Sequence, residues 1–123
     1  MRYIIQGDPV PLARARHSTK RVYDSQRHQK LVAGLDLRKQ HGDLPFFTGP
    51  LHLHIVFYLK MPQKKDLSDN PHASKPDLSN LIKFVEDIGS GVIYDDDRFI
   101  SSITAYKKYG KEPRTEFTIE KAL

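Results

Sequence analysis

From residue 51 to residue 60 the chain alternates without a break. Leu51, Leu53, Ile55, Phe57 and Leu59 share one side of an extended backbone, and His52, His54, Val56, Tyr58 and Lys60 share the other. A period of two would scatter the leucines around a helix axis, so the segment has to be a β-strand with one core face. Whatever covers that face must carry an apolar surface of its own. The best candidate lies just downstream, at 78–88.

At about 100° per residue, Leu78, Leu81, Ile82, Val85 and Ile88 fall within one apolar arc of about 120°, as a core-facing helix requires. Asn80, Lys83 and Asp87 fall together on another side. Pro76 precedes this helix, Asp77 stands where a short acceptor side chain caps the first backbone N–H groups, and Gly89, Ser90 and Gly91 follow it as a stop. Val92, Ile93 and Tyr94 read as a short buried segment that delivers Asp95, Asp96 and Asp97. Three adjacent carboxylates repel one another unless solvated or neutralised by a cation, and with Asp77 they offer the hard oxygen ligands that Mg²⁺ prefers.

The order Lys75, Pro76, Asp77, then Asn80, Leu81 and Lys83, then Asp87, then Gly91, Val92, Ile93, Tyr94, Asp96, Asp97 and Ile100 resembles the RusA family of Holliday-junction resolvases. The opening Gly7, Asp8, Pro9, Val10, Pro11 with Arg14 and Arg16 is similar to that family as well, so the likeness spans most of the chain. The resemblance implies a homodimeric, Mg²⁺-dependent endodeoxyribonuclease, with Mn²⁺ able to substitute, that cuts four-way and other branched DNA in recombination and repair. It implies Asp77, Lys83 and Asp97 as catalytic residues, and Asp77, Asp96 and Asp97 as metal ligands. One position departs: the family reads Asp-x-Asp-Asn where this chain has Asp77, Leu78, Ser79 and Asn80, so an expected carboxylate is a hydroxyl.

The remaining segments fit around this centre. Met1 to Gln6 reads as a first strand, and Gly7 to Pro11 as a proline-stiffened loop. Arg14, Arg16, His17, Lys20 and Arg21 follow with no helical apolar stripe, which describes an exposed basic arm able to meet phosphates, or simply a solvated charge run. With Lys75 and Lys83, the arginines and lysines of this arm form the expected DNA-binding set. From Asp24 and Ser25 to Gln40 a surface helix is expected, with Leu31, Leu35 and Leu37 as its seam and Arg27, His28, Lys30, Arg38 and Lys39 outside. Met61 to Ser74 is a polar loop placed to lie over the acidic site. Phe99 to Tyr109 and Arg114 to Glu120 read as the two strands of a hairpin around Gly110 to Pro113, and Lys107 and Lys108 are placed to line a nucleic-acid surface.

These elements predict a small α+β domain covering residues 1–123, with two main helices packed on one side of a mixed sheet. The chain's 123 residues suffice for one core. Its formal charge of +5 is compatible with a polyanionic partner. It has no cysteine, so a disulfide framework and thiolate metal sites are excluded, and a reducing cytoplasm is the default compartment. No apolar run approaches the roughly 18 residues of a membrane span, and the stretch from Arg2 to Ile5 is too short for a signal peptide.

Each group alone also has a structural reading: Asp77 as a helix cap, the Asp run as a solvated turn, Lys83 as a solvated helix residue. His52 and His54 share a strand face but lack any accompanying metal-ligand spacing, and the Asp run lacks the alternation and central Gly of an EF-hand loop. Convergence favours chemistry: a cap-position Asp, a Lys on the same helix and an Asp cluster one turn later. Two functions stay open, a branched-DNA endonuclease and a dimeric branched-DNA-binding protein with weak or no cleavage because of Ser79.

Overall fold

The computed structural model describes residues 1–13, 16, 17, 22, 23, 26–62 and 66–123, with only the backbone described at 16, 17, 22 and 23. The elements run β1 (Arg2–Gln6), β2 (Arg16–His17), β3 (Val22–Tyr23), α1 (Arg27–His41), β4 (Leu51–Lys60), α2 (Leu78–Gly89), a 3₁₀ turn (Asp97–Phe99), β5 (Ile100–Gly110) and β6 (Arg114–Lys121). β2 and β3 pair with each other inside the basic arm, where sequence alone indicated no regular element. The other four strands form one mixed sheet, and with the two helices they make the expected small α+β fold.

β4 has the predicted limits, and all five of its odd-numbered residues are buried. Burial of so apolar a strand is greatest at the centre of a sheet, and β4 sits there, antiparallel to β6 and parallel to β5. This overturns the expected hairpin. β5 and β6 follow one another across Lys111–Pro113, but the sheet order is β1-β6-β4-β5, so β4 lies between them. Gly110 permits the passage: a Cβ there would stand 2.8 Å from Cβ of Tyr58 on β4.

The helices cover the leucine face of the sheet. α2 buries Leu81, Phe84, Val85 and Ile88, with Leu78 and Ile82 partly buried, so the expected face is correct and Phe84 widens it. α1 uses a different stripe from the expected one. Leu37 is buried, but Leu31 and Leu35 are 59% and 57% exposed, as is the adjacent Val32 at 54%. Leu37 docks with Ala33, Gln40 and His41, at helical spacing, so its companions in the stripe are small and polar side chains instead of leucines.

Those polar side chains are used. The Gln40 amide accepts from Ile4 N (2.9 Å) and donates to Ile4 O (2.7 Å), standing in for the neighbour that edge strand β1 lacks. The His41 ring lies between Tyr3 Oη (2.7 Å from Nδ1) and Pro45 O (3.1 Å from Nε2). A carbonyl only accepts, so Nε2 carries the proton and Nδ1 accepts from the tyrosine. Burial raises Tyr3 to about 12, so it stays a neutral donor.

Candidate active site

The β4–α2–β5 unit puts the start of α2 beyond the end of β4 and the acidic run just before β5. Asp77 is the N-cap residue of α2, but its side chain makes no capping hydrogen bond. Its carbonyl already accepts from both Asn80 N and Leu81 N (3.2 Å each), so the third helical N–H, a usual target of a capping side chain, is satisfied by the backbone. The Asp77 carboxylate is therefore exposed and unspent. Lys75, Ser79 and Lys83 are exposed with it.

Two clamps fix this end of the helix. Lys107 Nζ donates to Ser74 O (2.6 Å) and Pro76 O (2.8 Å), so it braces the approach to Asp77 instead of facing a ligand. Leu12 N donates to Asn80 O (2.8 Å), tying the N-terminal loop to the first turn. The polar loop after β4 is stitched to the outer edge of β5 through Asp69 N to Tyr109 O, Tyr109 N to Asn70 O and His72 N to Lys107 O. The result is a cleft of about 820 Å³ that includes Asp8, Lys60, Lys75, Asp77 and Asn80 in its lining. His72 also lines it, with its ring against Tyr109 at 4.7 Å, and burial together with the Lys107 charge lowers its pKa and favours the neutral ring.

The other carboxylates gather at the far end of α2. Asp96 caps the 3₁₀ turn by accepting from Arg98 N (2.8 Å) and also pairs with Arg98 Nη1 (3.3 Å). That backbone hydrogen bond, with help from Asp97 and Arg98, holds its pKa below the ordinary value. Asp97 is pushed the other way, first by desolvation and then by Asp96 and Asp87. Glu86 is raised by burial and by Asp97, against the pull of Lys83. Asp87 is paired with Lys30 at 2.8 Å.

The structure thus brings Asp96 and Asp97 together, with Asp87 and Glu86 within electrostatic reach of Asp97, while Asp77 stands at the start of the helix whose last turns carry Glu86 and Asp87. Among the described residues, no group of three or more His, Cys, Asp or Glu is arranged to hold a metal ion. The donor chemistry still fits a hard divalent cation. Asp97 carries carboxylate repulsion that a cation would relieve, and Mg²⁺ commonly keeps several waters beside one or two protein carboxylates.

Glu86 is the acidic residue that sequence reasoning passed over. It sits one helical turn beyond Lys83, and its relation to Asp97 depends on the fold. His52 is hydrogen-bonded to Ser102 Oγ at 2.7 Å, and His54 lies against Tyr106 at 5.8 Å. The side chains of Arg14, Arg16, Lys20 and Arg21 lie outside the described residues. No described helix is long and apolar enough to cross a membrane.

A family model described as "Endodeoxyribonuclease RusA" matches residues 6–120. A protein of Bacillus subtilis (strain 168) described as "Uncharacterized protein YqaN" is 27% identical over 135 residues, a match that covers 97% of this chain and 94% of the relative.

Proposed function

The chain belongs to the RusA family of endodeoxyribonucleases, which resolve Holliday junctions, and on that footing we propose that it is a Mg²⁺-dependent, structure-selective nuclease cutting branched DNA by phosphodiester hydrolysis. The observation that carries this reading is the family match over residues 6–120 together with the gathering of Asp96, Asp97, Asp87 and Glu86 beside the helix that presents Asp77 and Lys83, where burial first and these neighbours second raise Asp97 and Glu86.

Asp77, Asp96 and Asp97 would hold Mg²⁺, with Mn²⁺ able to replace it. When bound, the ion supplies charge neutralisation at the phosphoryl oxygens and an activated water. The chain's own residues do the rest. Lys83 sets an ammonium on the exposed side of α2, where it meets the scissile phosphate or the negative charge that develops on it. Asn80 positions water or ligands. Arg14, Arg16, Lys20, Arg21 and Lys75 contact phosphates away from the reacting bond, giving salt-dependent affinity without sequence choice.

Cutting both strands across a junction calls for two sites, and we place a homodimer behind them. The exposed Leu31, Val32 and Leu35 on α1 support this, since a ridge of three half-exposed aliphatic side chains favours a partner surface over water. The protein is expected to act in the cytoplasm.

A second reading keeps the dimer and the junction but drops efficient cleavage. Ser79 favours it, since a family carboxylate is missing there, and so does the lack of a three-carboxylate group among the described residues. Incubation with labelled four-way junction and with linear duplex, in Mg²⁺, Mn²⁺ or EDTA, separates the two. The nuclease reading expects paired cuts near the branch with either metal and none in EDTA. Junction bound but intact in both metals would establish the second reading.

A further inference from the structure

The cleft beside Asp77 has a wall that is poorly suited to a phosphate. Pro9, Pro11 and Pro76 carry no backbone N–H at all. The N–H groups of Leu12 and Ala13 are already donated inward, to Asn80 O (2.8 Å) and Gln26 Oε1 (2.7 Å). Gln26 Nε2 completes the clamp by donating to Pro11 O at 2.8 Å. A phosphate site is commonly made from free backbone amides, and this wall presents rigid rings and aliphatic carbon instead. Asp8 and Asp77 in the same lining repel an anion further. Cations stand in the lining too, as Lys60 and Lys75.

Size points the same way. About 820 Å³ lies within the roughly 300–1,000 Å³ of sites that enclose small organic molecules. A duplex, whose major groove alone is about 12 Å wide, does not enter such a space, whereas a single nucleotide does. Flat faces with fixed geometry are what an unstacked base needs, and bases at a branch point lose stacking at the lowest cost.

We propose that this cleft takes one unstacked nucleotide of the strand to be cut, with its base laid against the Pro9–Pro11–Pro76 wall and its flanking phosphates against Lys60 and Lys75. The inference rests on the nuclease reading and deepens it: branched DNA is preferred to linear duplex because a base at a branch leaves its stack more cheaply than one inside an arm. The clamp through Gln26 and Asn80 keeps the wall in place before DNA arrives, so little ordering is required on binding.

The test uses four-way junctions carrying 2-aminopurine either at the branch point or within an arm, bound in EDTA so that nothing is cut. Binding is followed separately by anisotropy of a terminal dye. The probe brightens when it leaves the stack. The expected result is a several-fold rise in emission for the branch-point label and none for the arm label. Ala13→Met, at an exposed position whose structural bond is made by the backbone, places a long side chain in the cleft without an indole to quench the probe. It should abolish the rise and weaken junction binding about tenfold, the scale of one lost stacked base, while leaving affinity for linear duplex unchanged. Full junction binding with flat branch-point emission overturns the inference and leaves the nuclease reading standing, as does a rise that Ala13→Met does not touch. No junction binding at all overturns both.

Discussion

The two ends of α2 are built on opposite principles. At the C-terminal end everything is used: Tyr94 Oη donates to Glu86 O (2.8 Å), Ser90 N and Oγ reach the same carbonyl (3.2 Å each), and Gly91 N donates to Tyr94 O (2.7 Å). Tyr94 is buried against Gly89, in the same core cluster as Phe84, Val85 and Ile88. At the N-terminal end the backbone is clamped from outside, by Lys107 and through Leu12, and the side chains of Asp77, Ser79 and Lys83 are exposed. The lesson is that packing at one end sets the helix register, while clamps that grip only the backbone at the other leave its charged side chains available for chemistry.

The sharpest way to break the packed end is Gly89→Ala. The new Cβ would lie 2.6 Å from Oη and 2.8 Å from Cζ of Tyr94, and the buried ring has no free direction to move. Overpacking of this kind costs about 1–3 kcal/mol, of which the better helix propensity of Ala returns up to about 1 kcal/mol. A lower urea midpoint with unchanged slope is expected. Tyr94→Phe should cost about 1 kcal/mol by the same measurement, since it removes one hydrogen bond and leaves Glu86 O with Ser90 as partner. Neither change should alter the metal dependence of cleavage when assayed well below the melting temperature.

The open end is sharpened by adding charge. Ser79→Asp restores the carboxylate that the family motif carries, so cleavage should rise a few-fold at low Mg²⁺ and the gain should shrink as metal saturates. In the absence of metal the same variant should melt slightly lower, because the new carboxylate adds to the local repulsion. Cleavage no faster than wild type at any Mg²⁺ concentration, in folded protein bound to junction, would remove position 79 from the site.

The smallest expected effect is on pH. Glu86 has a folded-state pKa above its ordinary 4.5, so across that window the folded state holds its proton more tightly than the unfolded state does. Stability from this group is complete at lower pH and is lost as pH rises through the folded pKa. Comparison with Glu86→Gln isolates it: the stability of wild type relative to the variant should fall as pH rises from 4.5. A constant gap would mean that burial and Asp97 do not act on Glu86.

What was legible in the sequence is what short-range periodicity encodes. β4 could be read because alternation has one meaning, and the buried face of α2 because five aliphatic residues fall in one arc. The place of β6 could not be read: Gly110 to Pro113 has the length and residues of a hairpin turn, and only the demand of β4 for neighbours on both edges separates the strands. The seam of α1 was hidden for a different reason. Its docking residues include Ala33, Gln40 and His41, which carry no hydrophobic signal, while Leu31 and Leu35 carry a strong one and face outward.

The candidate site divides in the same way. Asp77, Lys83, Asp96 and Asp97 stand out because a cap-position Asp, a helical Lys and an Asp run are unusual together. Glu86 and the cleft wall depend on long-range contacts, between Glu86 and Asp97 and between Gln26 and residues 11–13, which no local pattern announces. The prolines beside Asp8 were visible as a stiff loop, and the use of that loop as a wall was not.

The central claim is that Asp77, at the start of α2, and Asp97, just before β5, serve one reaction. The most direct measurement is a double-mutant cycle on junction cleavage with Asp77→Asn, Asp97→Asn and the pair, with junction binding recorded alongside. An amide keeps the shape and removes the charge. If both carboxylates act on one metal-dependent step, each single change should lower the cleavage rate by about two to three orders of magnitude, the pair should be little worse than either, and binding should persist. Independent, multiplying losses, or binding lost together with cleavage, would contradict the account and mark Asp77 and Asp97 as parts of separate or merely structural sites.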